Sequence, residues 1–341
     1  MRVFVAGGTG AVGKRLVPLL VARGHHVTAT TTYGSKAADL RAVGAEAVVV
    51  DGLDARSVGK AVEDAGPETV VHEMTALAGA QDVKHFDRWF AITNELRTKG
   101  TEHLLTAARD AGATRFVAQS YTGWTNSRTG RWVKSANDPL DPRPARAQTE
   151  SLHAIKFLER AVLEAPLAGV VLRYGTLYGA GTGWSDPNVV EMVRKRKLPV
   201  VGKGTGVFSF VHVDDAAIAT VAAVERGERG VYSIVDDEPA AVAEWLPCLA
   251  KAVDARPPRR VPAWLARPAI GQVGVQWMTE ARGTSNRRAK RELGWRPLYP
   301  SWRQGFEHGL GTAPVDPAQV EAILDRSPLV GDFGASPRPS S

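Results

Sequence analysis

The chain has 341 residues, 44% of them hydrophobic and 23% charged, an ordinary globular balance with apolar mass for one large or two modest domains. Apolar runs such as "AVVV" and "LVPLLVA" fall far short of the roughly 20 residues a bilayer helix needs, and Met1 leads straight into "RVFVAGG", so a cytoplasmic protein without membrane contact is expected. The single cysteine, Cys248, excludes an intrachain disulfide and a cysteine-rich zinc cluster, and no metal site is expected; the formal charge of +7 is spread along the chain, and "RKRK" (194–197) and "RRAKR" (287–291) read as solvated helix faces rather than a nucleic-acid surface.

From the N-terminus, strand-like and helix-like segments alternate. "RVFVAGG" is predicted as a strand, 11–23 as a helix, "HHVTATT" as a strand, 35–43 as a helix, "AEAVVVD" as a strand, 56–64 as a helix and "ETVVH" as a strand. One long amphipathic helix over 87–111 follows, then a strand at 115–119, a helix at 148–164 and the strand "GVVLR" at 169–173. This rhythm predicts a doubly wound α/β domain with a parallel sheet, a Rossmann domain over 1–173. After Arg173 it gives way to Gly- and Pro-rich segments, read as a smaller substrate-binding lobe over 174–312, while "GVYSIVD" at 230–236 is able to rejoin the sheet. Residues 313–341 form a C-terminal extension whose end, "GDFGASPRPSS", is expected to be disordered.

The chemistry starts at "GGTGAVG". Gly7, Gly10 and Gly13 follow the first strand and open the first helix, the context in which glycines permit a tight turn, backbone approach to a pyrophosphate and close helix packing. Thr9, Ala11 and Val12 share that loop, and the helix N-terminus offers free N–H groups to an anion. At the end of the second strand, where an acid would hold the ribose hydroxyls of NAD, the chain has Thr31 and Thr32; Lys36 just beyond is placed to receive a 2′-phosphate, or is a surface lysine at a helix start. NAD(P) is therefore the expected cofactor, NADP slightly preferred. Asp51 and Gly52, at the end of the third strand, are placed to meet the adenine, Asp51 having helix capping as its alternative.

In order and spacing, "MRVFVAGGTGAVGKRLV", "VVVDGLD", "ATRFVAQS", "VVLRYGTLYGAG", "FVHVDDAA" and "AKRELGWRP" resemble the extended short-chain dehydrogenase/reductases, the NAD-dependent epimerase/dehydratase group, over about residues 1–310. The resemblance implies a Rossmann fold, a nicotinamide cofactor contacted also by Tyr174, and a Tyr-x-x-x-Lys pair on the helix after the fifth strand, where lysine lowers the tyrosine pKa. In "TESLHAIKFLERAV" Ser151 and Ile155 fall at those places; Lys156 becomes available only by a one-residue shift that turns the helix face by about 100°. The arginine that grips a sugar nucleotide's diphosphate is matched by Phe208, which points to a less polar alcohol or ketone as substrate. Trp124, Trp132 and Trp184 fall in loops expected near the crevice, or serve there as packing residues.

"FVAQSYTGW" then carries the proposed reaction centre: Tyr121 at the end of the fifth strand supplies the proton or oxyanion contact, with Ser120, Thr122 and Lys156 as its partners, or else Tyr121 packs beneath a lid over 125–147. The expected function is an NAD(P)-dependent oxidoreductase or epimerase with non-standard catalytic residues, acting on a small molecule, with a homodimer admitted. The alternative is a non-catalytic NAD(P)-binding sensor on the same fold.

Overall fold

The computed structural model describes residues 1–77, 82–311 and 313–325. Seven strands form its central sheet: β1 (Arg2–Ala6), β2 (His26–Thr31), β3 (Glu46–Val49), β4 (Thr69–His72), β5 (Arg115–Tyr121), β6 (Ala168–Tyr174) and β7 (Gly230–Ile234). All pairings are parallel, in the order β7-β6-β5-β4-β1-β2-β3. The strands read as continuous apolar runs because both faces are covered. On one face Val5, Val71, Val117 and Leu172 meet α1 (Gly13–Ala22) and the helix Val213–Arg226. On the other, Phe4, Val70, Phe116 and Val171 meet α3 (Ala55–Ala65), α6 (Thr101–Asp110) and α7 (Thr149–Glu164), while the short α2 (Ala37–Ala42), beside β3, adds Leu40 to the α1 side.

The segment "GVYSIVD" does return to the sheet, pairing Tyr232 with Leu172 at its edge. The order reverses between β1 and β4, so a crevice opens at the C-terminal strand ends where ligands bind in this architecture.

Two expectations change. The fifth strand runs on to Tyr121, pairing with Tyr174, so the "QSY" residues belong to the sheet rather than to a loop. The helix expected over 87–111 is four pieces: α4 (Phe86–Trp89), α5 (Ala91–Glu95), a π-helical turn over Leu96–Gly100, and α6. Side chains meet the carbonyls of the widened stretch: Thr98 donates to Asn94 O, Thr101 Oγ1 to Arg97 O, and His72 Nε2 to Leu96 O. Because His72 Nδ1 accepts the Met74 N–H, Nε2 must carry the proton, and burial holds this imidazole neutral with a pKa lowered to about 4.

A second core lies after β6, built on Tyr178, Phe210, Trp245, Trp302 and Phe306. Phe208 and Trp184 belong to its margin, their rings each 5.2 Å from Trp245. The segment 125–147 is tied to this C-terminal part by Val133–Lys134 pairing with Gly283–Thr284 and by Arg128, which bridges Asp141 and Glu280. The tail "GDFGASPRPSS" lies outside the described residues. No helix among the described residues is long and apolar enough to cross a membrane, and none of their acidic, His and Cys side chains group as a metal site.

Candidate active site

The glycine loop divides its labour. Gly7 has φ +97°, and a Cβ there would meet the Glu73 carbonyl at 2.8 Å; a Cβ on Gly13 would lie 2.3 Å from the Gly7 oxygen. Those two glycines are demanded by the turn itself. Gly10 is exposed, and a Cβ would find only the Gly7 oxygen at 3.3 Å. The free protein thus has room for a side chain at Gly10, in a cradle that Cβ would begin to fill. Val12 caps α1 without a side-chain hydrogen bond, and no acid sits in its first turn, so the helix end is free for an anion beside Ala11. These features fit a dinucleotide pyrophosphate.

Around the loop, Thr9 and Thr31 share a hydroxyl hydrogen bond of 3.1 Å, and Thr30 Oγ1 accepts the Gly7 N–H. Thr32 and Lys36 are exposed, with the Lys36 ammonium 5.0 Å from the Tyr33 ring centroid, so a cation and an open aromatic face stand together past β2. Asp51 is exposed and accepts the Leu53 N–H, while α3 is capped by Asp54; capping is therefore not the role of Asp51. Gly52 is buried where a Cβ would press on Met74 Sδ at 2.5 Å.

The hydroxyl cluster of β5 separates by strand alternation. Ser120 points to the α7 face, donating to Glu159 Oε1 at 2.7 Å, and Glu159 is held bidentately by Arg173 at 2.7 Å. Thr122 is buried against Asn126. Neither is a neighbour of the Tyr121 hydroxyl, which meets Thr176 Oγ1 at 3.2 Å. Burial raises the Tyr121 phenol above its ordinary value, against the Thr176 hydrogen bond and the Arg97 charge, so it stands protonated at neutral pH and is a hydrogen-bond donor rather than a base. Lys156 donates to the Asp141 carbonyl at 3.2 Å, tying the 125–147 segment to α7. Ser151 and Ile155 are fully buried, with Ser151 Oγ donating to Asp87 and receiving Asn94 Nδ2. The Tyr174 ring is buried beneath the crevice, its hydroxyl 2.7 Å from Glu73 and in contact with Thr220.

An aromatic wall adjoins Tyr121. Its ring stacks with Trp124 at 6.1 Å, and Phe86 lies 5.1 Å from Trp124 and 5.5 Å from Trp277. Trp132 is half-exposed beneath Arg282, whose guanidinium stands 3.5 Å over the ring.

Three polar residues escaped the sequence reading. Glu73 directly follows β4, 4% exposed, with Oε2 unpartnered. Burial raises its pKa to about 8, against the Tyr174 hydrogen bond. Glu159 pairs with Arg173 under Ser120. Arg97, on the π-helical turn, is 6% exposed and was detectable: with Thr101, Leu104 and Ala108 it lies on the apolar stripe of its helix.

A glycine cradle at a helix start, on a parallel sheet with its crevice at the strand ends, defines a nucleotide-binding Rossmann protein. The model of the NAD dependent epimerase/dehydratase family matches residues 3–235, and the chain belongs to that family. It is 47% identical over 310 residues to a Streptomyces sp. protein named 3-diazoavenalumate denitrifying reductase, covering 90% of this chain and 99% of that one. It is 31% identical over 259 residues to a Stigmatella aurantiaca 4-hydroxy-2-methyl-3-oxo-4-farnesyl-3,4-dihydroquinoline-1-oxide ketoreductase, covering 73% and 72%. Among solved structures, Thermotoga maritima UDP-glucose 4-epimerase superposes with TM-score 0.70 at 22% identity, covering 91% and 97% of the two chains. The human epimerase family protein SDR39U1 with NADPH does so with TM-score 0.67 at 21%, covering 91% and 99%. These structures share the fold. The chain is an oxidoreductase/epimerase enzyme of an NAD(P)-dependent family, and the non-catalytic sensor gives way to that reading.

Proposed function

We propose that this chain is an NADP(H)-dependent reductase that removes the diazo group of a small aromatic substrate as N2. The observation that carries the reading is the pair Ser151 and Ile155, the two places where the resemblance expects Tyr and Lys: both are buried, and Ser151 is committed to Asp87 and Asn94. Carbonyl reduction needs a proton donor, because hydride addition leaves an alkoxide that must be protonated. An aryl diazonium needs none. It gains a C–H bond from hydride, its C–N bonding pair departs with neutral N2, and no proton enters. The relative sharing 47% of its residues over nearly its whole length bears a name of that chemistry.

The reduced nicotinamide supplies the hydride. The chain's own residues hold the dinucleotide through Gly10, Ala11, Val12 and the α1 N-terminus, with Thr9 and Thr31 beside it. They favour the 2′-phosphate through Lys36, with no acid at the end of β2. Tyr121 and Trp124 offer a stacking face to an aromatic ring, and ring faces also attract a cationic diazonium. A protonated Tyr121 at the strand end favours a second reading, ketone reduction with Tyr121 as acid, in line with the ketoreductase relative. Following NADPH absorbance at 340 nm with an aryl diazonium salt and with an aryl ketone tests both; oxidation driven by the ketone alone would overturn the first.

A further inference from the structure

Arg97 is a buried cation without a counter-ion. Its guanidinium lies 5.5 Å from the Phe90 ring centroid and makes no ion pair among the described residues, and Nη1 has no hydrogen-bond partner. Glu159, an acid whose charge acts on it, spends both oxygens on Arg173 and one of them also on Ser120. Leaving a buried charge unpaired destabilises a fold, so the folded chain alone gives no reason for arginine here. Burial brings its pKa down only to about 10, so it stays charged at neutral pH. It stands on the π-helical turn, a distortion common at functional sites, and the Phe90 ring beneath it stacks on Phe86, which meets the Trp124 ring beside Tyr121.

We propose that Arg97 is the fixed cation of this active site, and that its free Nη1 donates a hydrogen bond to an oxygen of the bound ligand beside Tyr121. The placement rests on the dinucleotide site and crevice described above, and it holds whether the hydride acceptor is a diazonium or a ketone. The oxygen belongs to the nicotinamide half of the cofactor or to the substrate ring.

Arg97→Met separates a ligand-binding role from a structural one. Removing an unpaired buried charge is expected to leave the melting temperature of the free protein unchanged or raised. Binding of 2′,5′-ADP, which lacks the nicotinamide half, is expected to stay within twofold. A lost charge-assisted hydrogen bond weakens its ligand by about ten- to a hundredfold. That loss will appear in the NADPH Kd if the oxygen is the cofactor's. If it is the substrate's, the loss will appear in the KM for a hydroxyaryl diazonium salt, or for a hydroxyaryl ketone should that be the acceptor, with the unsubstituted compound unaffected. Arg97→Lys should recover part of it. A melting temperature lowered by more than about 5 °C would overturn the proposal and make Arg97 a structural residue. So would all constants remaining within twofold.

Discussion

Glu73 makes the sharpest prediction about stability, because burial decides its state. Tyr174 donates to Glu73 Oε1, and Oε2 is left buried without a partner, so the ionised carboxylate is poorly satisfied. Burial raises the folded pKa from 4.5 to about 8. A carboxyl with a raised folded pKa contributes stability that is fully present below its unfolded value and is lost as pH rises through the folded one. Integrated between 4.5 and about 8 at about 1.4 kcal/mol per pH unit, the loss is about 3–5 kcal/mol. Glu73→Gln keeps the shape and removes the titration. Urea unfolding should therefore find the variant within about 1 kcal/mol of wild type at pH 5 and more stable by about 3 kcal/mol at pH 8.5. Other buried acids, Asp215 and Asp236, titrate alike in both proteins and cancel. A stability difference that stays flat from pH 5 to 9 would refute the reasoning.

Gly10→Ala should keep the wild-type melting temperature while weakening NADPH by at least about tenfold in a fluorescence titration, whereas Gly13→Ala should fail to fold stably, its Cβ lying 2.3 Å from the Gly7 oxygen. Lys36→Ala should weaken NADPH by about tenfold and leave NADH unchanged, a charge-assisted contact to the 2′-phosphate being worth about 1.5–3 kcal/mol; equal loss for both cofactors would remove the lysine from the specificity site. Tyr121→Phe should lower turnover of an aryl diazonium by less than about tenfold, since no proton is transferred; a loss of about 10² or more would show general acid catalysis.

The sequence carried the parallel sheet and the glycine loop because both are local patterns: apolar runs between helices, and glycines spaced where a turn forbids Cβ. The apolar stripe of α7 was legible too, since Leu152, Ile155, Leu158 and Val162 are among the residues it buries. What the sequence hid was direction. "QSY" reads as one polar cluster, but strand alternation sends Ser120 to Glu159 and Tyr121 to the opposite face with Thr176. Lys156 shows the same limit, because the segment it ties, around Asp141, comes close only in the tertiary fold. The break at Leu96–Gly100 had no Pro to announce it, as its carbonyls are met in part by His72 from β4, outside the helix.

The central claim is hydride delivery to a diazo-bearing carbon without an added proton. It is tested most directly with NADPH carrying deuterium at C4, an aryl diazonium salt, and mass spectrometry of the product in ordinary water. The account predicts one deuterium on the ring carbon that bore nitrogen, N2 released in equal amount, and no isotope drawn from solvent when the labels are reversed. Deuterium absent from that carbon, or a hydrogen there that comes from water, would contradict it.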